Sequence, residues 1–170
     1  MDCWNFCISY LLLNKNIGYK QTDFIFSEIF SGVGLLSKIW IYLLEYFDYV
    51  EIIHENEEIF INLQDDEIPL LKEYKDRLNK FKENWWNYSN AIIDIKLLKE
   101  KLNDYSCIIP IKKGEWSHLV ILSRINDNNV TLIDNKKWKY SVSLEEFEDL
   151  IKLYNWKYVL FCKSMDIPSN

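Results

Sequence analysis

Trp116-Ser117-His118-Leu119-Val120-Ile121-Leu122-Ser123-Arg124-Ile125-Asn126-Asp127-Asn128-Asn129-Val130-Thr131-Leu132-Ile133-Asp134 is the stretch that decides the fold. Two aliphatic and β-branched runs, 118–125 and 130–134, flank four consecutive turn formers, Asn126 to Asn129. Such runs read as strands, and the polar tetrad between them as a hairpin turn. Paired antiparallel, the start of the first strand lies beside the end of the second. His118 and Asp134 therefore meet at one end of the hairpin. An aspartate closing an apolar strand is costly to bury unless it is hydrogen-bonded or charge-paired. A histidine beside it supplies such a partner.

Working outward, the same short-strand pattern continues at 107–111, 138–142 and 156–162. One helix interrupts it over 144–154, opened by Ser143 with Glu146 three residues later, a capping box. Upstream, 94–102 reads as an amphipathic helix and Pro69 opens a long charged helix to about residue 84. Residues 49–53 and 59–63 are β-prone and read as a hairpin. Before them come three helices. The first covers 3–14; the second is capped by Thr22 or Asp23 and ended by Ser31-Gly32-Val33-Gly34; the third covers 35–47 and is apolar nearly all round. Helices first and antiparallel strands last is an α+β layout. The expected organisation is one domain over 1–170: a helical part at 1–47, a hairpin and helical insert at 48–105, and an antiparallel sheet at 106–170.

Composition bounds the function. The chain has 170 residues, 49% hydrophobic and 27% charged, with 20 Lys plus Arg against 26 Asp plus Glu, a formal charge of −6. That is one core's worth of chain. The balance argues against a nucleic-acid binder, which needs a positive face, and against disorder. No apolar run reaches the ~18 residues of a membrane span, and no basic segment resembles a secretory signal. The expectation is a cytoplasmic protein with neither nucleic acid nor membrane as partner. Four cysteines, Cys3, Cys7, Cys107 and Cys162, are too few for a disulfide scaffold.

The chemistry follows from what acyl transfer demands: a nucleophile, a base, and a group that orients the base. There are two histidines. His54, in the acidic stretch 52–58, reads as an exposed strand-end side chain, which leaves His118 as the base and Asp134 as its orienter, with Asn135 next door as the alternative. Cys3 lies in the first turn of the first helix, where unpaired N–H groups and the helix dipole favour a thiolate. Its backbone N–H could also face an oxyanion. Cys7, Cys107 and Cys162 read as packing. A zinc site from Cys3, Cys7 and His118 rests on a lone C-x3-C, weak evidence for a metal. The expected catalytic set is Cys3, His118 and Asp134, converging in a cleft between the first helix and the strand layer, with no metal.

Asp2-Cys3-Trp4-Asn5-Phe6-Cys7-Ile8-Ser9-Tyr10-Leu11-Leu12-Leu13 resembles the Asp-Cys opening of papain-like peptidases that process bacteriocin leaders. His118-Leu119-Val120-Ile121, with Asp134 sixteen positions on, resembles their second block. The resemblance implies a papain-like fold, with Cys3 as nucleophile, His118 as base and Asp134 as orienter. It departs where those peptidases carry an oxyanion-hole Gln just before the nucleophile, since the glutamines here are Gln21 and Gln64. Trp4-Asn5 stands in place of their Gly-Pro, and Asn135 in place of the Pro after Asp. The aromatic-then-Gly-x-Gly segment 24–34 resembles butirosin-type acyltransferases. The amide synthase of closthioamide assembly is similar in size and proposed chemistry.

These relatives imply a cysteine acyltransferase forming an amide from an acyl thioester donor, such as a phosphopantetheine-bearing acyl or peptidyl carrier protein, and a small amine acceptor. Aromatic residues including Trp4, Trp85, Trp86, Trp116 and Trp138 would keep water from the acyl-enzyme, or simply pack. Lys136, Lys137 and Lys139 would meet an acidic carrier, or protect a strand edge. Two other readings stand beside this one: a peptidase cutting a leader or small peptide, and an inactive papain-like binding module.

Overall fold

Ser106–Lys113 (β3) and Trp116–Ile125 (β4) form the central hairpin of a sheet that has seven strands among the described residues of the computed structural model. The structure describes residues 3–13, 43, 46–47, 49–55, 88–114, 116–152 and 158–163. Gly114, at φ +64°, turns the chain between these strands in a conformation that a side chain disfavours. Ahead of them come helix α1 (Cys3–Leu13), strands β1 (Tyr49–His54) and β2 (Tyr88–Asn90), and helix α2 (Ile95–Lys101). After them come β5 (Asn129–Asp134), β6 (Trp138–Ser143), helix α3 (Leu144–Lys152) and β7 (Tyr158–Lys163). The spatial order is β2-β1-β7-β3-β4-β5-β6, antiparallel throughout except for the parallel β1–β2 pair.

The α+β reading holds: a large, mostly antiparallel sheet with helices packed on it. Local chemistry sets the helix ends, at Ser143 as the sequence suggests and at Asp94 one residue before the helix proper. Asp94 caps α2 by accepting the N–H of Leu97 at 2.8 Å, and the Ser143 hydroxyl accepts that of Glu146 at 3.1 Å. Phe47 donates its N–H to the Leu43 carbonyl at 2.8 Å, a helical bond at the end of the expected third helix. The expected helices near 22–31 and 69–84 lie outside the described residues.

Two expectations are corrected. β1 does not form a hairpin edge as expected; over Ile52–His54 it is flanked by β7 on one side and β2 on the other. Residues 59–63 lie outside the described set. The reason is topological: a parallel neighbour requires a long crossover, which local pattern does not announce. Residues of the expected insert thus complete the main sheet. The second correction is His54, which is fully buried rather than exposed, because β1 is an interior strand.

Both faces of the sheet are covered, which explains why Leu119-Val120-Ile121-Leu122 is apolar without alternation. On one face, Ile109, Val120, Leu122 and Leu132 pack beneath Leu98 of α2 and Phe147 and Ile151 of α3. The alternate residues Ile108, Leu119, Ile121 and Ile133 are buried on the other face, where α1 crosses β4 and β5. Ile8, Leu11 and Leu12 of α1 are buried almost completely. Together they contribute roughly 5–9 kcal/mol of burial at about 1.5–3 kcal/mol per side chain, an upper figure against an extended chain. Among the described residues, no helix is long and apolar enough to cross a membrane.

Candidate active site

Asp134 ends β5 with its side chain sealed from solvent. Its Oδ1 accepts the backbone N–H groups of Lys136 and Lys137, at 2.6 and 2.5 Å, so the carboxylate itself ties the turn into β6. Its Oδ2 faces Nε2 of His118 at 3.6 Å, an ion-pair separation rather than a hydrogen bond. Such contacts are commonly looser before substrate binds. His118 itself is nearly buried. The structure thus brings together the two residues that the hairpin argument paired.

The register explains how. Ile121 opposes Ile133 and Leu122 opposes Leu132, which sets Val120 level with Asp134. His118 is two residues further out on the same side of β4, a diagonal neighbour within reach of a long side chain. The register shift between Leu122 and Arg124 lies beyond this corner and leaves its pairing intact. Tyr140, two residues beyond Trp138 on β6, completes the surroundings. Its hydroxyl pKa is pushed up to about 12, chiefly by burial, then by the Asp134 charge and a hydrogen bond to that carboxylate. The Lys137 ammonium lies over the Tyr140 ring, 5.1 Å from its centroid. Tyr140 had no signal in the sequence, since a tyrosine in a strand is ordinary; only pairing sets it against Asp134.

Cys3 is different. It belongs to α1, and α1 lies on the opposite face of the sheet from the His118–Asp134 pair. The two faces communicate at the rim, where β5 ends and β6 begins. Trp138 opposes Asp134 in register, yet its ring packs edge-on against Phe6 and Tyr10 of α1, with centroids 6.0 Å away in both cases. Cys3, Phe6 and Tyr10 recur at i, i+3 and i+7, one stripe of the helix. The stripe that carries Cys3 thus reaches the corner that carries Asp134.

The four cysteines separate cleanly. Cys7, Cys107 and Cys162 are buried, whereas Cys3 is half-buried. Burial pushes the Cys107 thiol well above its ordinary range, with the neighbouring Cys162 and Cys7 adding to it. That is a core thiol, unsuited to nucleophilic work. Among the described residues, no group of three His, Cys, Asp or Glu side chains could hold a metal ion. Lys136, Lys137 and Lys139 are exposed around the Asp134 turn.

The model of the peptidase C39 family matches residues 81–166, 86 of the chain's 170 residues, and takes in His118 and Asp134 but not Cys3. No curated protein and no solved structure matches the chain. A sheet with packed helices, a buried histidine–aspartate pair and that match lead to one conclusion: the chain belongs to the peptidase C39 family and is related to the papain-like cysteine peptidases.

Proposed function

We propose that the protein is a cysteine peptidase acting through an acyl-enzyme on Cys3, with His118 as base and Asp134 as its orienter. The observation that carries this reading is the buried pair itself, with Nε2 of His118 held 3.6 Å from the Asp134 carboxylate. We assign the thiol proton to Nδ1, the ring nitrogen that does not face the carboxylate. The Cys3 Sγ–H proton passes to Nδ1, and the thiolate forms an S–C bond with the substrate carbonyl carbon. The C–N bond then breaks as His118 returns the proton to the departing amine. Water, deprotonated by His118, attacks the acyl carbon and releases the carboxylic acid and the free thiol. Asp134 holds the imidazole tautomer and stabilises its charged form.

The resemblance to butirosin-type acyltransferases favours a second reading that shares every step up to the acyl-Cys3. There, the acyl group arrives as a thioester on a carrier protein and an amine takes the place of water. Incubation with a peptide library and, separately, with an acyl thioester plus an amine distinguishes the two. Cleaved peptide supports the peptidase and new amide supports the acyltransferase. Selective iodoacetamide labelling of Cys3 with neither product leaves only an activated thiol. No labelling at Cys3 overturns both readings in favour of an inactive binding module.

A further inference from the structure

Trp138 combines three features that packing alone does not require. Its backbone sits at φ +55°, the sole non-glycine in that region among the described residues. For a bulky side chain this costs on the order of 1–3 kcal/mol and persists only where the surroundings impose it. The Asp134 turn imposes it here, through the two amides fixed on Oδ1. Although Phe6 and Tyr10 both touch the ring edge-on, Trp138 remains 62% exposed. A ring needed only to clasp α1 would be covered by it. Finally, its two aromatic neighbours lie on the helical stripe of Cys3, and its register partner is Asp134.

We propose that Trp138 is a specificity-determining residue of the Cys3 site: its exposed ring takes the apolar group carried on the acyl side of the substrate carbonyl. The strained backbone turns the ring over the sheet rim, where Cys3 and the His118–Asp134 pair would converge on one carbonyl. Phe6 and Tyr10 brace the ring through T-shaped contacts and still leave most of the residue exposed. This rests on Cys3 as the nucleophile, and adds what that nucleophile accepts.

The test avoids turnover. Cys3 is alkylated with iodoacetamide and with N-hexyliodoacetamide, the site is read by mass spectrometry, and the rate ratio is compared with that of glutathione. The three buried cysteines leave Cys3 as the reactive thiol among the four. In the wild-type protein the hexyl reagent gains about tenfold over the glutathione ratio, the discrimination a modest apolar site supplies. Trp138→Gly and Trp138→Asn both tolerate φ +55°, so the turn survives while the ring is lost, and the ratio falls to the glutathione value. Trp138→Phe retains part of the gain. A wild-type ratio equal to that of glutathione overturns the proposal, whether or not the variants fold. So does an unchanged ratio in the two ringless variants. Absence of peptide or thioester turnover would sink the proposed function while leaving this ratio readable.

Discussion

Glu51 and Asp134 are both buried acids on the same face of one sheet, and the protein treats them oppositely. Glu51, on β1, forms an ion pair with Lys101 of α2. The lysine ammonium also lies 5.0 Å from the Tyr105 ring centroid and 5.7 Å from that of Phe161. Tyr49 hydrogen-bonds the same carboxylate. Every charge there is answered by a partner with no further task. Asp134 is answered by fixed backbone amides on one oxygen and by the Tyr140 hydroxyl, while its Oδ2 faces the imidazole of His118, the proposed base. Burial costs both carboxylates similarly; the first arrangement is closed and the second is open. The difference suggests that disturbing the Glu51 end should reduce stability and spare turnover, and that disturbing the Asp134 end should do the reverse.

The comparison breaks first, and most visibly, at the nucleophile. Cys3→Ala should abolish turnover, a loss of roughly 10⁴-fold or more, without moving the thermal midpoint. Cys7→Ala, one turn along and fully buried, should keep most turnover and lose about 1–2 kcal/mol to a small cavity. Kinetics and thermal melts on both variants check this. Equal loss of activity at constant folding would move the nucleophile.

Asp134→Asn comes next. The amide oxygen can still accept the two turn N–H groups, so the midpoint should barely change. Turnover should fall roughly 10- to 100-fold, less than the ~10⁴ of a serine triad, because a thiolate–imidazolium pair depends less on its orienter. Full activity in this variant combined with an inactive Asn135→Ala would transfer the role to Asn135.

At the closed end, Lys101→Ala leaves Glu51 buried with its cation gone. The stability loss should be roughly 1–3 kcal/mol, below the 3–5 of a fully buried pair because Lys101 is partly exposed. Denaturant melts measure it, and turnover should be unchanged. A large fall in turnover would erase the distinction between the two ends.

The smallest effect is alkaline. Tyr49 and Tyr140, one beside each acid, have hydroxyl pKa values pushed up to about 12, chiefly by burial and then by the neighbouring carboxylate. Between pH 10 and 12 the unfolded chain releases these protons while the folded chain keeps them, so stability falls as pH rises across that window. Tyr49→Phe and Tyr140→Phe should each flatten the slope of melting temperature against pH there. Only Tyr140→Phe should also alter the pH profile of turnover, since its hydroxyl contacts the Asp134 carboxylate.

The sequence by itself determined the hairpin and the pairing of its ends. The runs around Asn126 to Asn129 and the cap at Ser143 are local signals, and each produced the element it announced. His118 and Asp134 were legible as partners because a single short turn fixes antiparallel register between adjacent strands. Cys3 was separable from Cys107 and Cys162 because a first helical turn differs from an apolar strand, and from Cys7 because that residue lies one turn deeper in the helix between Phe6 and Ile8. Other features required the tertiary structure. The parallel β1–β2 pair, the burial of His54 and the place of residues 49–54 in the main sheet depend on strands brought together from far along the chain, which leave no periodic trace. The packing of α1 on β4 and β5, and the contact of its Phe6 and Tyr10 with Trp138, were decided the same way. α1 is apolar nearly all round, so its sequence does not choose a side. Packing against β4 and β5 does.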